Sequence, residues 1–202
     1  MNICIFGDSI AWGAGDIEGG GWAVLLRNYL YQQNDDIQVY NLGISGDVTT
    51  ETLKRIDCEA TARKVDIIIV ALGINDSAFI KSKNERWTSI DQFQGNISLL
   101  FEKARKFTEH VFFIGLTPVD ETKTMPASWA PDYFVDVKTA CEYNEIIEQF
   151  CKEKNTPFIS LEGVLTLNDL SDGLHPNTEG HRKMFERIKD ALKVRAPFLM
   201  RK

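Results

Sequence analysis

The sequence predicts an α/β protein in which a parallel sheet of about five strands lies between two layers of helices. Two observations predict this three-layer α/β/α sandwich. Five short runs rich in Ile, Val and Phe are almost continuously apolar, as expected for parallel strands covered on both faces. The segments between them repeat apolar residues at intervals of three and four, which is the period of a helix with one buried face. Strand and helix therefore alternate along the chain, which is the order typical of α/β folds.

Each predicted element follows from one of these two patterns. The predicted strands are Ile3–Phe6, Ile37–Asn41, Asp66–Leu72, Val111–Leu116 and Pro157–Leu161. Helices fit Trp22–Tyr31 and Thr49–Arg63, and three further helices have apolar stripes that run from Phe93 to Ala104, from Val137 through Cys141 to Cys151, and from Met184 to Leu192. The last helix is expected to begin near Pro176-Asn177-Thr178.

Composition limits the classes of protein to consider. The chain has 202 residues, 44% of them hydrophobic and 26% charged, and is expected to form one domain over residues 1–202. A net charge of -6 without a basic block argues against nucleic acid as a partner. The apolar runs are too short to cross a bilayer, and the first residues lack signal-peptide features. We expect a cytoplasmic protein with a small-molecule partner and no membrane insertion, and its oligomeric state stays open.

Four cysteines and three histidines restrict metal and redox chemistry. No CxxC pair occurs, so Cys4, Cys58, Cys141 and Cys151 are all expected to be small buried side chains. The sequence also lacks an HExxH motif and any Cys/His cluster, so no zinc site is predicted.

The residues that follow the predicted strands are the candidates for function, because ligands of parallel α/β sheets bind at the carboxyl ends of the strands. Gly7-Asp8-Ser9 follows the first strand, a loop containing Gly46 follows the second, and Gly73-Ile74-Asn75-Asp76 follows the third. A long irregular segment from Thr117 to Phe134 follows the fourth strand, and Asp172-Gly173-Leu174-His175-Pro176 lies shortly after the fifth. These segments are expected to meet at one edge of the sheet.

The three histidines are the candidates for a general base, because acyl transfer at neutral pH needs a base with a pKa near 7. His110 directly precedes a strand and is interpreted as a solvated or packed strand-entry residue. His181 lies beside two basic residues and is assigned to the charged outer face of the last helix. His175 differs because Asp172, three residues earlier, can bond one ring nitrogen and leave the other free. The same local pattern also fits a polar turn before a helix.

Ser9 is the candidate nucleophile. It lies in a turn between a buried strand and a helix, where we expect its hydroxyl to be exposed and open to activation by a base. It fits the cap of that helix equally well. A serine nucleophile also needs hydrogen-bond donors for the developing oxyanion, and the Ser9 N–H, the Gly46 N–H and the Asn75 amide are expected at one point. Gly46 and Asn75 individually also fit ordinary turns, but the coincidence of all these groups at one edge favours a catalytic site.

Four sequence blocks resemble those of the SGNH (GDSL-type) hydrolases, in the same order and over residues 7–176. The blocks are Gly7-Asp8-Ser9, Gly46 within Asn-Leu-Gly-Ile-Ser-Gly-Asp, Asn75 within Gly-Ile-Asn-Asp, and Asp172-Gly-Leu-His175-Pro. The resemblance implies that Ser9 is the nucleophile, His175 the general base and acid, and Asp172 the orienting carboxylate. It implies an oxyanion hole formed by Ser9, Gly46 and Asn75. It also implies a flavodoxin-like strand order, no metal or other cofactor, and ester hydrolysis through an acyl-enzyme.

The substrate is less constrained than the reaction. Short-acyl, acetyl or small aryl esters are favoured, and a thioester, a lysophospholipid or an O-acetylated carbohydrate stays open. Trp129, Tyr133 and Phe134 either line a substrate pocket or belong to a packed loop or a subunit contact, and Ser77–Thr88 is a second candidate wall with the same ambiguity.

Two other classes fit the sequence less well. A flavodoxin-like ligand-binding domain without catalysis would need a phosphate cradle. Its candidate, Gly13–Glu18, departs from GxGxxG at the last position and carries acidic residues. An α/β-hydrolase would need a GxSxG elbow, which does not occur in the chain.

Overall fold

The computed structural model describes residues 1–200 and contains the predicted five-stranded parallel sheet. Its strands are β1 (Asn2–Gly7), β2 (Gln38–Gly43), β3 (Ile67–Ala71), β4 (His110–Ile114) and β5 (Phe158–Ile159). They are arranged in the order β2-β1-β3-β4-β5, and every neighbouring pair is parallel. The flavodoxin-like order implied by the resemblance is confirmed. The extent of the domain over residues 1–202 stays a prediction, and its last two residues lie outside the described part.

Seven α-helices occur within residues 1–200. They are α1 (Ser9–Trp12), α2 (Gly21–Gln33), α3 (Thr49–Arg63), α4 (Ile90–Arg105), α5 (Glu121–Thr124), α6 (Val137–Lys154) and α7 (Thr178–Arg195), and two short 3-10 helices cover Leu167–Asp169 and Pro197–Met200. The five long helices lie where the apolar stripes predict them. The single-turn helices α1 and α5 are too short to show a helical period. None of the helices described is both long and apolar enough to cross a bilayer.

The two faces of the sheet are covered by different helices. Ile3 and Ile5 of β1 pack in one apolar cluster with residues of α2 and α7. Cys4 and Phe6, which alternate with them, pack in a second cluster with residues of α3, α4 and α6. Because neighbouring strand residues point to opposite faces, this division requires continuously apolar strands, which is the pattern of the sequence.

The structure corrects the expectation that all four cysteines are buried. Cys4 and Cys151 are buried, whereas Cys58 and Cys141 are exposed. The buried stripe of α6 runs through Ala140, and Cys141 is turned about 100° away from that residue around the helix axis. Cys58 lies two residues after the buried Ile56 of α3, a spacing that points it to the opposite side of the helix.

A second, smaller sheet stands beside the carboxyl edge of the main sheet. It is antiparallel and consists of Phe79–Ile80, Glu85–Arg86 and Tyr133–Phe134, with the first of these in the middle. The sheet joins the two segments that are candidate pocket walls, Ser77–Thr88 and the long loop that ends at Phe134. It therefore fixes the position of Tyr133 relative to the main sheet.

Candidate active site

The turn that carries Ser9 is built by close packing at the end of β1. A Cβ atom at Gly7 would lie 2.2 Å from the Cβ of Ala11, so only glycine allows α1 to start so close to the strand. Asp8 caps α1, since its Oδ1 accepts the N–H of Ile10 at 2.8 Å. Ser9 is thus the first residue of α1. Contrary to the expectation of an exposed hydroxyl, Ser9 is only 6% exposed.

A hydrogen-bonded chain connects Ser9, His175 and Asp172. The Oγ of Ser9 lies 2.9 Å from Nε2 of His175, and Nδ1 of the same ring lies 2.7 Å from Oδ2 of Asp172. The other carboxylate oxygen accepts the backbone N–H groups of His175 at 2.8 Å and Leu174 at 3.0 Å. The turn that makes these bonds contains Gly173 with a φ of 94°. One carboxylate therefore fixes both the loop and the imidazole.

The electrostatics of this chain favour an ionised Asp172. Burial by itself raises the pKa of this carboxyl. The hydrogen bonds from the His175 ring and from two backbone N–H groups outweigh burial, so the pKa lies below its usual value. An ionised carboxylate next to Nδ1 keeps the proton on that nitrogen and leaves Nε2 as the acceptor for the Ser9 hydroxyl.

Asn75 is held on both sides of its amide group. Its Nδ2 donates to the carbonyl oxygen of Asp47 at 2.9 Å, and its Oδ1 accepts the hydroxyl of Tyr133 at 2.7 Å. Asp47 directly follows Gly46, so the amide is tied to the Gly46 loop. Within residues 1–200 the backbone N–H groups of Ser9 and Gly46 have no protein acceptor. These N–H groups and the second proton of Nδ2 are therefore available to a ligand.

Arg55 was not identified from the sequence, and it joins the Gly46 loop to the end of β1. Its Nε and Nη2 contact Oδ2 of Asp47 at 3.0 and 2.6 Å, and Nη2 also reaches the carbonyl oxygen of Gly7 at 3.4 Å. The guanidinium lies 5.5 Å from the ring centre of Phe6. Both partners of the ion pair are largely buried. The only signal in the sequence is the spacing of eight residues, about two helical turns, between Asp47 and Arg55.

Two buried carboxyl groups are sequence neighbours of site residues. Asp8 directly precedes Ser9, and Asp76 directly follows Asn75. Burial raises the pKa of Asp8 to about 7, against the hydrogen bonds from backbone N–H groups that lower it. Burial also raises the pKa of Asp76, whose carboxylate accepts the backbone N–H of Thr49 at 3.1 Å and its hydroxyl at 2.6 Å. Asp76 therefore fastens the start of α3 to the residue that follows Asn75.

The three aromatic residues of the long loop have different positions. Trp129 is 44% exposed, and its ring centre lies 5.3 Å from that of His175. Tyr133 is buried against Asn75. Phe134 is half-buried in the small sheet, where it pairs with Phe79. Of the three, Trp129 is the side chain that is both exposed and in contact with the Ser9–His175–Asp172 chain, and a pocket role for the group stays a prediction.

The other two histidines lie away from Ser9, and one of them corrects the sequence analysis. His110 is exposed and its ring packs 4.8 Å from that of Phe198, as expected for a strand-entry residue. His181 was assigned to a charged outer face but is fully buried. Its Nε2 bonds the carbonyl oxygen of Ala14 at 2.9 Å, and its Nδ1 accepts the N–H of Trp22 at 3.3 Å. The loop between α1 and α2 covers this part of α7, a contact that the local charge pattern does not indicate.

Backbone N–H groups of the glycine-rich loop after α1 donate hydrogen bonds to a carboxylate of the same loop. Asp16 Oδ1 accepts the N–H of Glu18 at 3.0 Å and of Gly19 at 3.2 Å, and Oδ2 accepts that of Gly21 at 2.9 Å. A phosphate cradle needs such donors to be free.

Among the residues described, no group of three or more His, Cys, Asp or Glu side chains is arranged to hold a metal ion.

Comparisons with known proteins identify the family of the chain. A family model described as the GDSL-like Lipase/Acylhydrolase family matches residues 5–183. Esterase TesA of Pseudomonas aeruginosa is 27% identical over 195 residues, which cover 96% of this chain and 88% of that protein.

Two solved structures show the same fold. A lipase/acylhydrolase from Enterococcus faecalis superposes with a TM-score of 0.75 at 24% identity, covering 96% of each chain. A variant of the acetyl xylan esterase Axe2 from Geobacillus stearothermophilus gives a TM-score of 0.72 at 20% identity, covering 95% of this chain and 94% of that one. Since the family model spans most of the sequence, the chain belongs to the GDSL-like lipase/acylhydrolase family and is a hydrolase that acts on ester bonds.

Proposed function

We propose that this protein is a serine esterase that cleaves carboxylic esters with small acyl groups through an acyl-enzyme on Ser9. The observation that carries the proposal is the continuous chain of hydrogen bonds from Ser9 Oγ through both ring nitrogens of His175 to Asp172. A neutral imidazole with a fixed tautomer next to a serine hydroxyl is the arrangement that general-base activation requires.

In the first half of the reaction, Ser9 Oγ attacks the ester carbonyl carbon while Nε2 of His175 takes the hydroxyl proton. The carbonyl oxygen becomes negatively charged, and the N–H groups of Ser9 and Gly46 and the amide of Asn75 donate hydrogen bonds to it. Asp172 stabilises the imidazolium that forms. His175 then gives the proton to the leaving alcohol oxygen, and the acyl group stays on Ser9.

In the second half, a water molecule takes the place of the alcohol. His175 removes a proton from this water, the resulting hydroxide attacks the acyl carbon, and the proton returns to Ser9 Oγ as the acid departs. No group outside this set of side chains and N–H donors is needed for the proton balance.

Aromatic and apolar side chains near Ser9 support a small acetyl or aryl ester as the substrate. Trp129 contacts the His175 ring. Trp12 ends α1 one turn after Ser9 and is 59% exposed, and Ile44, whose N–H bonds the Gly7 carbonyl oxygen, is 47% exposed. One relative is named acetylxylan esterase. A small-molecule ester as the partner and a cytoplasmic location stay predictions from the sequence.

The nucleophile is tested with Ser9→Ala. We expect turnover of an aryl acetate to fall by roughly 10⁴-fold or more with an unchanged circular dichroism spectrum, because the acceptor of the acyl group is lost. A serine-directed phosphonate should add its mass to the peptide that contains Ser9 in the unmodified chain and to none in the variant. Ser98→Ala, in the partly exposed middle of α4, is the matched control and should keep full turnover and labelling. Retention of turnover in Ser9→Ala would refute the assignment.

The substrate class is tested with a series of aryl esters of increasing acyl length, together with a long-chain acyl thioester, a lysophospholipid and an acetylated oligosaccharide. We expect the highest kcat/KM at acetyl. A maximum at long acyl chains, or preference for the thioester or the lysophospholipid, would contradict the small-ester proposal while leaving the role of Ser9 intact.

A further inference from the structure

A small cavity lies beside the turn that carries Ser9. Asp8 and Ile10, the residues on either side of Ser9, both line it, together with Trp22 of α2, Met184 of α7 and residues at and after the ends of β3 and β4. Its volume is about 20 Å³. A space of this size holds a single water molecule and nothing larger.

Two buried polar atoms without a protein partner belong to residues that line this cavity. Within residues 1–200, the buried side-chain atoms that lack a hydrogen-bond partner are Nε1 of Trp22 and Oγ1 of Thr117. Both residues line the cavity, and they are 0% and 5% exposed. Buried donors are rarely left unpaired, because the loss of their bonds to water is not compensated. Because the residues that carry these two atoms line the same cavity, one partner held there would satisfy both.

The third polar group of the cavity is the carboxyl of Asp8. Asp8 is 2% exposed, and its Oδ1 already accepts the N–H of Ile10. A carboxylate can accept about four hydrogen bonds, so it has capacity for a further donor. Burial raises the pKa of Asp8 to about 7, and its charged form gains from any additional donor.

The chemistry of these three groups selects the ligand. The indole N–H can only donate, and a hydroxyl both donates and accepts. The Asp8 carboxyl accepts in either state and also donates when it is protonated. A cation would meet the indole N–H, and an anion would meet the Asp8 carboxylate. Water is the ligand of this size that both donates and accepts.

We propose that this cavity is a binding site for one ordered water molecule, which accepts a hydrogen bond from Trp22 Nε1, donates one to the Asp8 carboxylate and shares one with Thr117 Oγ1. The water then joins the Asp8–Ser9 turn to α2 and to the loop after β4. Nothing in this inference requires Ser9 to act as a nucleophile.

A high-resolution crystal structure of the unmodified chain tests the site directly. We expect an ordered density peak within about 2.7–3.2 Å of all three groups, with displacement comparable to that of the surrounding side chains. The absence of a peak would overturn the proposal, as would a peak bonded to neither Trp22 nor Thr117.

A solution measurement uses the distribution of the tryptophans. Trp12, Trp87 and Trp129 are 59%, 41% and 44% exposed, so Trp22 is the one fully buried indole of the four. In a chain labelled with ¹⁵N-tryptophan, Trp22→Phe assigns its indole resonance by loss of that signal. We expect a nuclear Overhauser cross-peak to water, with the sign of a long-lived complex, at the Trp22 indole proton and not at the three exposed indoles.

Thr117→Val is the variant that tests the shared partner, because it removes one hydroxyl while nearly keeping the shape of the side chain. We expect a weaker water cross-peak at Trp22, a lower occupancy of the water in the crystal and a lower midpoint of urea unfolding. A cross-peak and an occupancy that both equal those of the unmodified chain would show that Thr117 does not hold the water and would overturn the proposal.

Discussion

Tyr133 is the residue that sets the direction of the Asn75 amide. Its hydroxyl donates to Oδ1 at 2.7 Å, which leaves Nδ2 to point toward the Asp47 carbonyl oxygen and to offer its other proton to the site. Asn75 acts through an N–H donor in the proposed mechanism, so a rotated amide would present an acceptor to the oxyanion instead. The role of Tyr133 is therefore to position Asn75.

Tyr133→Phe should lower kcat by about tenfold and leave KM nearly unchanged, because an oxyanion donor is used in the transition state more than in the bound substrate. Steady-state kinetics on an aryl acetate measure both constants. Tyr143→Phe is the matched control, since that buried hydroxyl donates to the carbonyl oxygen of Thr88, in the layer of α4 and α6. Equal kcat values in the two variants would contradict a positioning role for Tyr133.

At the residue scale, the sequence predicted which groups meet but not what supports them. Ser9, Asp172 and His175 were found because each follows a strand end, and parallel strands carry their ends to one edge. Tyr133 was recognised only as a loop aromatic. Its bond to Asn75 depends on a sheet of two-residue strands, which are too short to show an alternating pattern. The burial of His181 depends on a loop whose contacts with it are 159 and 167 residues apart in the sequence.

At the scale of elements, the loop between β2 and α3 depends on the backbone conformation of Gly46. This glycine has a φ of 82°, and a Cβ atom built on it would meet no atom within 4 Å. Any cost of a side chain here comes from the left-handed conformation and not from a clash.

Gly46→Ala should lower the free energy of unfolding by about 1–2 kcal/mol, the usual penalty for an L-residue in this region. Urea unfolding at constant pH measures the change. Gly95→Ala is the matched control, since Gly95 lies inside α4, where an added Cβ also meets nothing within 4 Å. There the change should raise the free energy of unfolding by about 0.5–1 kcal/mol. If Gly46→Ala were as stabilising as Gly95→Ala, a relaxed right-handed conformation at Gly46 would follow.

Long helices and strands were predicted from the sequence, whereas the shortest elements were predicted incompletely or not at all. Long strands and helices were located by their periodicity, because each must bury a continuous stripe or two faces of a sheet. The last strand was predicted over Pro157–Leu161, and only Phe158–Ile159 pair with β4. The helix α1 is a single turn defined by the Asp8 cap and by contact with Gly7, neither of which produces a pattern in the sequence.

For the whole molecule, two buried titratable groups make stability depend on pH in opposite directions. Burial lowers the pKa of His181 below its ordinary value of 6.5. At pH values between the pKa of folded His181 and 6.5, the unfolded chain binds a proton at this residue that the folded chain does not bind. The free energy of unfolding therefore falls as pH falls below 6.5. Burial raises the pKa of Asp8 from 3.8 to about 7. In that interval the folded chain binds the extra proton, so stability falls as pH rises from about 4 to 7.

Each contribution can be isolated by a substitution that keeps the local hydrogen bonds. His181→Gln retains an acceptor for Trp22 and a donor for Ala14, and Asp8→Asn retains a good helix cap. Urea unfolding at several pH values between 5 and 7 should give a difference in unfolding free energy, unmodified minus variant, that rises with pH for His181→Gln and falls with pH for Asp8→Asn. Neither slope should exceed about 1.4 kcal/mol per pH unit, the limit for one proton. Difference curves that are flat for both variants would show that neither group changes its pKa on folding.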